Sequence, residues 1–138
     1  MPSSVVGPMR LLLADDETRV RFALRVLLLH RSGIDLVGEA SNAAELLETL
    51  SRESPDVVLL DWELPGSSGS QLLRDMRSIR PRLPIIALSG RPENQRAALS
   101  AGADAFVSKA DPPERLISAL GACSGNAGSR TELAYAAC

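Results

Sequence analysis

Asp56-Val57-Val58-Leu59-Leu60-Asp61-Trp62-Glu63-Leu64-Pro65-Gly66 is an apolar run that stops at one carboxylate and then turns. A short stretch of Val and Leu, bounded by Pro55 and by Pro65-Gly66, reads as a strand buried on both faces, the habit of central strands in a parallel sheet. Asp61 then stands at the strand's carboxyl end. Ligands of open α/β sheets bind along that edge, so an acid placed there is a candidate for chemistry.

Working outward, the same alternation recurs on both sides. Met9 to Ala14 is an apolar run ending in Asp15-Asp16, and Glu17 to Arg31 has helical spacing, with Val20, Ala23, Leu24, Leu27 and Leu28 on one face and Gly33 as the stop. Ile34 to Ala40 reads as a strand, and Asn42 caps a helix over Ala43 to Arg52. Beyond the opening stretch, Leu72, Leu73, Met76 and Ile79 recur at helical spacing up to Pro81. Leu83 to Leu88 is a strand ending in Ser89-Gly90, Pro92 to Ala101 a weakly patterned helix, and Ala105 to Ser108 a brief strand ending at Lys109. Pro112-Pro113 opens a last helix through Leu116, Ile117 and Leu120, since proline is tolerated in a first turn. Five strands alternating with five helices predict an α/β fold, a three-layer doubly wound parallel sheet. Five units are too few for an eightfold barrel.

Length and composition agree with one domain: 138 residues, 45% of them hydrophobic, suffice for one real core. Residues 1–8 read as a flexible leader, 9–122 as the folded domain and 123–138 as a tail or truncated linker. A net charge of −2 and the lack of a Lys/Arg cluster argue against direct nucleic-acid binding by this chain. No apolar run approaches the roughly 20 residues that span a bilayer, and no targeting segment is evident, which predicts a cytoplasmic protein. Cys123 and Cys138 fall outside every predicted element, so they are expected to form neither a disulfide framework nor a metal site.

A parallel sheet brings Asp15, Asp16, Asp61, Ser89 and Lys109 to one edge. Singly, the acids and Ser89 read equally well as helix caps, and Lys109 as a solvated loop charge. Together they carry more information. Three carboxylates within several ångström repel by roughly 1 to 4 kcal/mol per close pair, which calls for a compensating cation. Mg2+ suits oxygen ligands and leaves sites for phosphate oxygens. Lys109 supplies a mobile positive charge and Ser89 a hydroxyl donor for a phosphoryl group. The set has the composition of an aspartyl-phosphate site with Asp61 as nucleophile.

These residues, in this order, resemble the receiver domain of two-component response regulators over about residues 9 to 122; Gly69 and Phe106 fall at family positions too. Val37-Gly38-Glu39-Ala40 and Ser108-Lys109-Ala110-Asp111-Pro112-Pro113-Glu114 resemble receivers that precede a helix-turn-helix output domain. The resemblance implies a flavodoxin-like sheet of order 2-1-3-4-5 and a phosphorylation-dependent signalling switch rather than a dedicated enzyme. Asp61 would be the phosphoacceptor. Asp15, Asp16, Asp61 and the backbone carbonyl of Glu63 would hold Mg2+, and Ser89 with Phe106 would relay the switch. The donor would be a phosphohistidine on a sensor histidine kinase or phosphotransfer protein.

Some positions are particular to this chain. Ala110 follows Lys109 where many relatives have proline, which leaves the isomer of that bond open. Glu63 and Arg91 flank the site and are expected to pair across its mouth and tune phosphoryl lifetime. Phe22, Val26 and Leu29 form an apolar stripe opposite the first helix's core face, a docking surface for the phosphodonor or for a second copy in a homodimer. His30, the one histidine, reads as surface structure. Two rivals remain at this level: a pseudo-receiver that is never phosphorylated, and a phosphatase with an aspartate nucleophile, suggested by the acid at Glu63.

Overall fold

The structure is a computed structural model and describes residues 7–125. The expected leader lies almost wholly outside that span, as do the tail beyond Gly125 and Cys138. Eleven elements follow one another: β1 (Met9–Ala14), α1 (Thr18–Leu29), β2 (Ile34–Ala40), α2 (Ala43–Arg52), β3 (Val57–Asp61), α3 (Gly69–Ile79), β4 (Ile85–Ser89), a 3-10 turn (Pro92–Asn94), α4 (Gln95–Ala101), β5 (Ala105–Ser108) and α5 (Pro113–Gly125). All strand pairs are parallel and the sheet order is β2-β1-β3-β4-β5.

The opening stretch behaves as its composition demands. Every residue of β3 is buried, because β3 lies mid-sheet and alternate side chains enter two separate cores. Leu12, Val58, Leu60 and Ile85 face α2, α3 and α4; Leu11, Val57, Leu59 and Ile86 face α1 and α5. The helices begin where polar caps permit: Asn42 Oδ1 accepts from Glu45 N at 2.9 Å, and Ser68 Oγ from Gln71 N at 3.1 Å.

Several boundaries differ from the sequence expectation. Leu83 belongs to a turn closed by its N–H on Arg80 O, and β4 starts after Pro84, which has no N–H for the ladder. The fourth helix opens as a 3-10 turn, with Pro92 in its first position and only Ala98 buried along α4. The folded part does not stop at residue 122: α5 runs on through Gly125 and buries Cys123 against the α1/α5 core. Cys123 is disulfide-bonded, contrary to the expectation. On α1, Leu28 is fully buried, whereas Ala23 is exposed and lines, with Val20, Leu24 and Leu27, a groove of about 310 Å³ against α5. The peptide bonds described are all trans, Lys109–Ala110 included; without proline a cis bond there costs about 3 kcal/mol.

Candidate functional site at the carboxyl edge of the sheet

Parallel strands that end level with one another set the site. Asp61 pairs in register with Leu88, and Ser89 with Ser108, so the residues that follow β1, β3, β4 and β5 share one edge. Asp15, Asp16 and Asp61 each turn a carboxylate oxygen into the same small volume, the three atoms within 4.8 Å of one another. Asp15 and Asp61 are buried and Asp16 is exposed. The local backbone locks both buried acids: Asp15 Oδ1 accepts from Glu17 N at 2.9 Å, and Asp61 Oδ1 from Glu63 N at 3.0 Å.

Lys109 closes the ring from β5. Its Nζ stands 2.7 Å from Asp15 Oδ2, 3.4 Å from Asp61 Oδ1 and 3.6 Å from Glu17 Oε1. Burial pushes the Asp61 carboxyl up to about 6; the Glu63 N–H opposes this, Asp15 adds repulsion and Lys109 relieves some of it. Burial works to lower Lys109 too, but contact with Asp15 and the charges of Asp61, Asp15 and Glu17 hold it above its ordinary value. Asp15 Oδ2 is sealed from solvent and, apart from the ion pair with Lys109, has no hydrogen-bond partner. A buried, under-satisfied oxygen in a cluster of three carboxylates fits a hard divalent cation.

Ser89 is fully buried at the end of β4. Its hydroxyl donates to Glu63 Oε2 at 2.8 Å, and Asn94 Nδ2 donates to the same Glu63 oxygen and, at 3.1 Å, to Ser89 Oγ. The expected Glu63–Arg91 pair is therefore not formed: Glu63 is engaged by neutral donors, and Arg91 makes no ion pair among the described residues. Phe106 is half-buried against the α2/α3/α4 core. Trp62 lies over Gly69, where a Cβ would come within 2.6 Å of the indole. Pro65 O accepts from Ala43 N at 2.9 Å, and Gly66 turns the loop with φ 106°.

Two contributors escaped sequence reading. Glu17 adds a carboxylate to Lys109, yet nothing in its spacing separates it from an ordinary first-turn acid. Asn94 lies five residues past Ser89, and only the 3-10 turn brings it back.

A family model described as the response regulator receiver domain matches residues 11–121. The chain belongs to that family. Relatives and solved structures agree with that assignment. The nitrate/nitrite response regulator protein NarL of Escherichia coli K12 is 35% identical over 115 residues, covering 82% of this chain and 53% of NarL. The chain thus spans about half the length of that curated relative. A LuxR-family two-component response regulator from Aurantimonas sp. SI85-9A1 superposes with a TM-score of 0.81 at 30% identity, covering 87% of each chain. The isolated receiver of RcsB from Salmonella enterica serovar Typhimurium, solved with the phosphomimetic BeF3−, gives 0.79 at 27% identity over 86% of this chain and 90% of that one. Methylesterases also match, but over a minor part of their length: in that of Myxococcus xanthus the shared segment is 31% of the protein.

Proposed function

We propose that this receiver domain accepts a phosphoryl group on Asp61 from a phosphohistidine and changes its partner binding in response. The observation that carries the reading is the placement of a buried Asp61 beside Asp15, Asp16 and Lys109. Asp15, Asp16, Asp61 and the backbone carbonyl of Glu63 would hold Mg2+, which supplies positive charge against the phosphoryl oxygens. In the transfer, an Asp61 Oδ forms a bond to phosphorus as the phosphorus–nitrogen bond breaks, and the imidazole leaves with the electron pair. Water later cleaves the acyl phosphate, returning the carboxylate and releasing inorganic phosphate. Catalysis on the chain's side is positioning: the Glu63 N–H orients Asp61, Lys109 faces the charge that builds, and Ser89 offers a hydroxyl.

The donor is a sensor kinase or a histidine phosphotransfer protein. Phe22 and Leu29 are 58% and 62% exposed and Val26 lies between them, an apolar stripe suited to a helical partner or to a second copy of this chain. Incubation with Mg2+ and a small acyl phosphate, read by intact mass, tests the proposal. Wild type should gain one phosphoryl group and Asp61→Ala none; no mass gain on wild type would leave a pseudo-receiver as the better reading.

A further inference from the structure

A serine hydroxyl has one proton to donate and lone pairs that accept. All of this capacity is in use at Ser89, which is sealed from water. The oxygen accepts from Arg91 N at 3.0 Å and from Asn94 Nδ2 at 3.1 Å. The one proton goes to Glu63 Oε2 at 2.8 Å. Since a carboxylate only accepts, the Asn94 atom facing the same oxygen must be its amide nitrogen. Glu63, Ser89 and Asn94 thus form a closed triangle joining the loop after β3, the end of β4 and the turn that opens α4.

We infer that Glu63 and Asn94 are positioning residues that restrain the switch: they hold the Ser89 proton and the first turn of α4 in the unphosphorylated arrangement. The inference rests on Asp61 being the phosphoacceptor. A phosphoryl group there can be bonded by Ser89 only if the hydroxyl gives up Glu63, because it has no second proton. Release of Ser89 opens the triangle and leaves the Asn94 side chain, at the start of α4, bonded to Glu63 alone. The fold therefore couples the phosphorylation site to α4 through a competition for one hydrogen. A restraint present in only one of two states raises the free energy of reaching the other by its own strength.

Two measurements on the full chain test this. Without any ligand, amide hydrogen exchange over residues 92–101 should be faster in Glu63→Ala and Asn94→Ala than in wild type. Glu63→Gln, which keeps an acceptor oxygen, should stay near wild type. With Mg2+ present, beryllofluoride is titrated as a phosphoryl mimic and followed by the fluorescence of Trp62, the only tryptophan. Asn94→Ala should bind it about two- to tenfold more tightly, the range set by one net hydrogen bond, while its affinity for Mg2+ alone stays unchanged. Glu63→Ala also removes a charge near Asp61, so the neutral Asn94→Ala variant decides. The double variant should bind no more tightly than Glu63→Ala, since the triangle acts as a unit. Unchanged affinity in Asn94→Ala, beside a wild type that binds, overturns the restraint and spares the phosphoacceptor. Failure of wild type to bind beryllofluoride overturns both.

Discussion

Lys109 Nζ lies 2.7 Å from Asp15 Oδ2 and is the one cation ion-paired with the carboxylates of the buried acids among the described residues. Its side chain is 17% exposed while that of Asp15 is fully buried, so deleting the ammonium strands a charge rather than returning it to water. Lys109→Met should cost about 2 to 4 kcal/mol in urea unfolding at neutral pH. Added Mg2+ should recover part of that loss, because it neutralises the same oxygens. A variant as stable as wild type would show that the acids are relieved by something else. Acyl-phosphate labelling of Asp61 should fall sharply in the same protein.

Asp61 makes the opposite prediction. Burial raises its folded pKa from 3.8 to about 6, so the fold favours the protonated acid. Its contribution to stability is intact below about pH 4 and is lost as pH rises through 6. Above that range the folded protein carries a penalty that Asp61→Asn removes. The variant should be more stable than wild type by about 1 to 3 kcal/mol at pH 7.5, and the gain should fade between pH 6 and 4. An equal gain at both ends of that range would mean that shape rather than charge is responsible. Mg2+ should raise the melting temperature of wild type more than that of the variant.

Much of this was legible in the chain itself, for reasons that differ from element to element. β3 stands out because a strand buried on both faces must be apolar throughout, and Pro55 and Pro65 bracket it. The edge chemistry was legible because topology alone carries Asp15, Asp16, Asp61, Ser89 and Lys109 together. What escaped depends on side-chain direction. Glu63 was expected to meet the opposite charge of Arg91, but the 3-10 turn aims Asn94 at it instead. Residues 123–138 read as a tail, yet α5 continues to Gly125 because Cys123 packs into the core. Both outcomes were decided by tertiary contacts that local spacing does not encode.

Gly69 and Trp62 give a prediction in which two effects have opposite sign. Alanine is the better helix former by about 1 kcal/mol, so Gly69→Ala in the first turn of α3 would stabilise an unobstructed helix. Here the added Cβ would meet Trp62 Cδ2 and Cε2 at 2.6 Å, and the indole must move. A net loss of about 1 to 3 kcal/mol is expected, with a red shift in tryptophan emission as the ring leaves the backbone of α3. Increased stability with unchanged emission would show that the ring has room.

Glu39 tests how a strand irregularity builds an ion cluster. Leu11 pairs with Leu36 but Leu12 with Gly38, so one residue of β2 is skipped. The skip changes the alternation of β2, and Glu39 comes into register with Leu13, whose side chain faces α1 and α5. There Arg25 grips Glu39 through two bonds, at 2.8 and 3.0 Å, and Arg21 adds a third at 3.1 Å while also bonding Asp15 O. The hydrogen bond from Arg25 is the main reason that the Glu39 carboxyl lies below its usual range; partial burial opposes it, and the charges of both arginines add to it. A depressed carboxyl stabilises the fold above its unfolded value of 4.5, and that contribution is lost as pH falls through the lower folded value. Glu39→Gln should therefore cost about 1 kcal/mol at pH 7, since the pair is only partly buried. The difference from wild type should close progressively below pH 4.5. Because Arg21 also ties the end of β1 through Asp15 O, the same variant should loosen α1 against the acidic edge. Faster hydrogen exchange over residues 18–29 is the expected sign, and a pH-independent stability difference would assign the effect to packing instead.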